Sequence, residues 1–167
     1  SLFAGPYDYA SFVNDIFTNR QVADDELSIY NWAIYALNRY NANLQQPANS
    51  IWTYVVNNEL DALSIPSTKP ADILHPTFLD GFTDGTNSSW INAVQNNSLL
   101  TNWIPQGRLF FHSGTADRSV PHYNSINAHQ HFQALNGAST LYEYPSGDHY
   151  TPLFDYVTTT LDDFEGL

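Results

Sequence analysis

The chain has 167 residues, enough for one domain with a sizeable core, and its 43% hydrophobic and 15% aromatic content excludes a disordered tail. Seventeen Asp and Glu against five Lys and Arg give a net charge of −12, so no basic patch can form, and nucleic acids and anionic membrane surfaces are disfavoured as partners. With no Cys, disulfides, thiolate metal sites and cysteine nucleophiles are ruled out.

The chain also lacks Met and opens on the apolar "SLFAGPYDY". It reads as an internal piece of a longer protein, or as a chain trimmed of its initiator or signal peptide. "SLFAGP" stops at Gly5-Pro6 and predicts the end of a buried strand. Tyr9, Phe12, Val13, Ile16 and Phe17 then follow helical spacing. Asp24 and Asp25 form a helix start, and Leu27, Tyr30, Ile34 and Leu37 share one face of the helix behind them. "SIWTYVVNNEL" is ambiguous: its β-branched residues suit a strand, but Ser50 can cap a helix, and a helix is preferred. "SIPSTKPADILHPTFLDGFTDG" reads as loop with short helical turns, His75 included. Ser88 and Ser89 lead a modest helix over "SSWINAVQNNSLL". Tyr30, Trp32, Tyr35, Trp52 and Tyr54 read first as helix-packing residues and second as the lining of an apolar pocket. Asn87-Ser88-Ser89 and Asn96-Asn97-Ser98 match the glycosylation sequon, a pattern frequent by chance.

From about Arg108 the pattern changes. "RLFFHSG" is a short continuous apolar run ending in Gly114, which predicts a strand buried on both faces. Pro121 suits the first turn of a helix, Ser125, Ala128, Phe132 and Leu135 share one face of it, and Asn136-Gly137 ends it. "STLYEYPSGDH" is a second strand and a Gly-containing loop. A last helix from about Thr151 carries Phe154, Val157, Leu161 and Phe164 on one face. Strand–helix–strand–helix is a parallel crossover unit, so the class is α/β.

Functional groups in such sheets sit just past the carboxyl ends of strands. Asp117 and His149 both hold such places, after two strands expected side by side. An acid accepting the His Nδ1–H fixes the tautomer and leaves the other nitrogen free to take a proton from a hydroxyl. Taken alone, Asp117 reads equally as a turn or capping residue. Asp148 is adjacent to His149 and reads as solvated or a cap. His129 and His131, at i and i+2, face different sides of a helix and read as surface residues, not a metal pair. His112 is expected packed or hydrogen-bonded at a strand end, and His122 at a helix start.

These segments resemble the α/β-hydrolase family. "RLFFHSGTADRSVP" looks like that family's strand-seven segment with its acid, "LYEYPSGDHYTP" like the strand-eight segment with its catalytic His, and "AGPYDYASFV" like the stretch leaving strand six in secreted esterases, lipases and prolyl-peptidase-like members. The resemblance implies the C-terminal part of an α/β-hydrolase fold over residues 1–167: the strand-six end, a mostly helical lid over 8–106, and the last two parallel strands with flanking helices over 107–167. It implies Asp117 as triad acid and His149 as general base and then acid, serving a serine hydrolase that cleaves a carboxylic ester or peptide bond through an acyl-enzyme. The family order is Ser, acid, His, so the nucleophile belongs upstream. No Gly-x-Ser-x-Gly occurs in the chain, and "GASTL" at Gly137 lacks the second Gly and precedes a strand. The implied protein needs no metal or organic cofactor and is secreted or periplasmic. The chain alone is expected to be inactive and to pair with the missing N-terminal half of its parent or with a second copy. A non-catalytic binding module on a hydrolase-derived frame is the other reading. An unrelated α/β protein with a coincidental acid and histidine is the third.

Overall fold

The computed structural model describes residues 1–24, 26–41, 43–101 and 103–166. It divides into two compact units, one of residues 1–12 and 98–167 and one of residues 13–97.

The first unit holds a three-stranded parallel sheet in the order β1-β2-β3, with β1 at Leu2–Phe3, β2 at Leu109–Gly114 and β3 at Ser139–Tyr144. The central strand β2 is buried from Phe110 through Gly114, as a continuous apolar run requires when both faces are covered. Helix α8, Tyr123–Ala134, makes the crossover from β2 to β3 and seats Ala128 and Phe132 on Tyr7 and Phe111. Phe111 and Phe132 stack with ring centres 6.2 Å apart. The helix ends where Asn136 takes a left-handed φ of 61° and the Gly137 N–H returns to the Phe132 carbonyl. The strand expected at the start of the chain forms but is not buried: Leu2 is exposed, because among the described residues no strand flanks β1 on its outer side.

Helix α9, Leu153–Glu165, follows β3 and meets the sheet with an unexpected face. Tyr156 packs on Phe3 and His112, and Asp163 accepts a 2.7 Å hydrogen bond from the Tyr142 hydroxyl. The Thr160 hydroxyl bonds Ser1 Oγ. The apolar stripe of Phe154, Val157, Leu161 and Phe164 therefore points away from the sheet, and Phe154 is 81% exposed.

The second unit is built from helices. Helix α1, Tyr9–Thr18, brings Phe17 into an aromatic cluster with Phe78 and Phe82 of α6, Pro76–Thr83, and Trp90 of α7, Ser88–Asn97. Arg20 braces α6 through Asp80 at 2.6 Å and Thr83 at 2.9 Å. Helix α2, Leu27–Tyr40, buries Leu27, Tyr30, Asn31 and Ile34. At its start, the Asp24 carboxylate accepts from the Glu26 N–H and the Asp24 carbonyl from the Leu27 N–H. Asp25, the other half of the expected cap, lies outside the described residues.

The helix expected over "SIWTYVVNNEL" is broken in two. Helix α3 covers only Ala48–Ile51, and α4 covers Glu59–Leu63. Between them Trp52 is extended and bridges Leu74, just past α5, Pro70–Ile73. Ser50 is no cap; its hydroxyl donates to the Pro47 carbonyl, and Asn58 caps α4 instead. Thr53 bonds Ile73 and Asp72 through its N–H and hydroxyl, so tertiary partners satisfy a backbone that β-branched residues already turn from helix.

Candidate active site

Gly114 is where the site begins. A side chain there would run into the carbonyls of Gly147 and Asp148, so only glycine lets the end of β2 touch the loop after β3. Backbone bonds from Thr115 to Tyr144 and from Ala116 to Gly147, and one from the Ser146 N–H to the Thr115 hydroxyl, join the two strand-end loops. Ser146, at a left-handed φ of 60°, turns the second loop back toward the first.

This junction sets His149 against Asp117. His149 Nδ1 lies 2.9 Å from Asp117 Oδ2, with the acid side chain fully buried and the His side chain 24% exposed. A carboxylate only accepts, so the proton sits on Nδ1, and in the neutral ring Nε2 carries the free lone pair. Asp117 engages only Nδ1, which leaves Nε2 clear of the acid. The second oxygen of Asp117 accepts from the Val120 N–H at 2.9 Å, which fixes the carboxylate. The His149 ring tilts against Phe3 at 6.4 Å and meets Tyr150 edge-on at 4.9 Å. The pair can relay a proton at Nε2 while the buried acid steadies the imidazolium.

The other candidates fall elsewhere. Asp148 caps the final turn by accepting from the N–H groups of Tyr150 and Thr151, and the Thr151 bond leads in holding its carboxyl below the usual range. His129 turns toward Ser139 and His131 toward the Thr101 carbonyl, so the two rings diverge. Among the described residues, no three His, Asp or Glu side chains are grouped to hold a metal. His122 pairs with Glu143 at 2.8 Å, with its Nδ1 buried and unpartnered. His112 is both packed and bonded: it is fully buried, its Nδ1 is 2.9 Å from the Tyr144 hydroxyl, and burial pushes it down to about 4.

Sequence reasoning missed one polar brace. The Asp8 carboxylate accepts from the Ser11 N–H and from Asn127 Nδ2, while the Asp8 N–H donates to Asn124 Oδ1. It fixes the turn after β1 to α8. Its partners lie 116 and 119 residues apart in sequence, beyond the reach of any local pattern. The aromatics of the helical unit are also tied by a polar residue: Asn31 accepts from Trp52 Nε1 at 2.7 Å and donates to the Tyr54 hydroxyl and the Ala62 carbonyl.

No protein-family model and no curated protein matches the sequence. Solved structures do match its fold. The rice cell wall degrading esterase LipA from Xanthomonas oryzae superposes with a TM-score of 0.71 at 18% identity, over 87% of this chain and 42% of that one. An inferred hydrolase from Legionella pneumophila gives 0.74 at 15% identity, over 96% and 46%. The fold is that of an α/β-hydrolase in part: a three-stranded parallel sheet with flanking helices. The chain spans less than half the length of either neighbour. Among the described residues, no helix is long and apolar enough to cross a membrane.

Proposed function

We propose that this chain supplies the acid and the base of a serine hydrolase whose nucleophile lies on another segment. Asp117 orients His149. His149 takes the proton from the attacking serine hydroxyl as the Oγ–carbonyl bond forms, then delivers it to the leaving group. In the second half it takes a proton from water, which attacks the acyl carbon, and returns it to Oγ as the serine leaves. The observation that carries this reading is the 2.9 Å bond from the part-exposed His149 to the fully buried Asp117, at two adjacent strand ends. The likeness to an esterase favours ester over peptide cleavage. Residues 8–106 serve as the lid in this reading, and a secreted or periplasmic location goes with it.

The test is on the longest natural form of the protein. Intact mass and N-terminal sequencing are expected to find an upstream segment with Gly-x-Ser-x-Gly. That form hydrolyses a short p-nitrophenyl ester, and Asp117→Asn or His149→Ala lowers kcat about 10³–10⁴-fold. A natural form that starts near Ser1, or full activity in both variants, would overturn the proposal and favour the binding-module reading.

A further inference from the structure

The helical unit carries an open cavity of about 400 Å³ on its surface, between the end of α2, residues 45–48 and the Trp52–Asn57 segment. That is the size of a small-ligand site. Its chemistry runs against the rest of the molecule. The chain has 17 acidic and five basic residues, yet among the described residues no acid lines this cavity and one of the few cations, Arg39, does. Asp61 holds the Asn57 N–H at 2.8 Å but does not itself line the cavity.

The cavity is built on a fixed frame. The Asn38 carboxamide donates to the Gln46 carbonyl at 3.0 Å and accepts from the Gln46 N–H at 2.9 Å, clamping the connection after α2. Trp52 is fully buried and locked through Asn31, with Tyr35 tilted against it at 6.3 Å. Arg39 and Asn57 are exposed and Gln46 is half-buried, and all three line the cavity, so they present a guanidinium and two carboxamides to a ligand. Such a wall does not suit an acyl chain, which needs an apolar lining.

We infer that this cavity binds a sugar acid: a hydroxylated ring bearing a carboxylate. The Arg39 guanidinium offers a planar fork matching a carboxylate. Carboxamides both donate and accept, as ring hydroxyls do. The half-buried ring of Tyr35 gives an apolar face for ring C–H groups. The inference is independent of the Asp117–His149 pair.

Calorimetric titration of the 167-residue chain with D-glucuronate tests it, alongside D-glucose and acetate as controls. Arg39 is exposed, so Arg39→Gln should leave the thermal melt unchanged, and the melt is recorded to check this. The expected result is saturable glucuronate binding, at least fivefold weaker in Arg39→Gln, with glucose and acetate each at least tenfold weaker. Glucuronate binding that is absent at tens of millimolar, equalled by glucose or acetate, or unchanged in Arg39→Gln would overturn the inference.

Discussion

Both carboxylate oxygens of Asp117 are engaged, one by His149 and one by Val120, and that decides which substitution reads its role. Asn at 117 can still accept from the Val120 N–H but need not accept from the imidazole. Long-range proton–nitrogen spectra should show His149 protonated on Nδ1 in the parent chain and shifted toward the Nε2 form in Asp117→Asn. Gly114→Ala should cost about 2 kcal/mol or more in urea unfolding, because the contact it crowds is backbone on backbone. The same variant should also lose the downfield Nδ1 proton of His149. His112 sets a pH dependence. Held neutral with a pKa near 4 against 6.5 when unfolded, it leaves the unfolded chain binding the extra proton between those values. Its contribution is complete above about pH 6.5 and falls away as pH drops toward 4, by roughly 3 kcal/mol in all. Urea midpoints from pH 7 to 4 check this, and His112→Gln should flatten that part of the curve. The places of Asp117 and His149, just past the ends of two adjacent strands, were legible in sequence because an apolar or β-branched run followed by a Gly-containing loop marks a strand end. The brace of Asp8, Asn124 and Asn127 was not, since nothing local marks residues that meet across more than 110 positions.

Helix α9 shows what periodicity can and cannot say. The spacing of Phe154, Val157, Leu161 and Phe164 predicts a helix with an apolar side, and the helix is there. Which side meets the sheet is decided by partners: Tyr156 between Phe3 and His112, and Asp163 under Tyr142. At a concentration where the chain is monomeric, Phe154→Ser with Leu161→Ser should therefore change its stability by no more than about 0.5 kcal/mol, while Tyr156→Ala costs about 1–3 kcal/mol, both by urea unfolding. The broken helix at Trp52 has the same origin. Local propensity left the segment undecided, and Asn31, Asp72 and Ile73 settled it from a distance. Asn31→Leu should cost more than about 2 kcal/mol, because it strands the indole N–H and the Ala62 carbonyl.

At the scale of the molecule, the described residues leave β1 with a free edge and α9 with an uncovered apolar stripe. Covering each large side chain of that stripe is worth roughly 1.5–3 kcal/mol, a strong drive to associate. Sedimentation of the chain alone should show species heavier than its 18.8 kDa mass, shifting with concentration; a well-folded monomer at all concentrations would count against a missing partner surface. The proposed serine hydrolase requires Asp117 and His149 to serve a serine on another segment. Fluorophosphonate labelling of the 167-residue chain, read by intact mass, addresses it most directly. No adduct is predicted, whereas a stoichiometric adduct on one of its own serines, abolished by His149→Ala, would contradict the account.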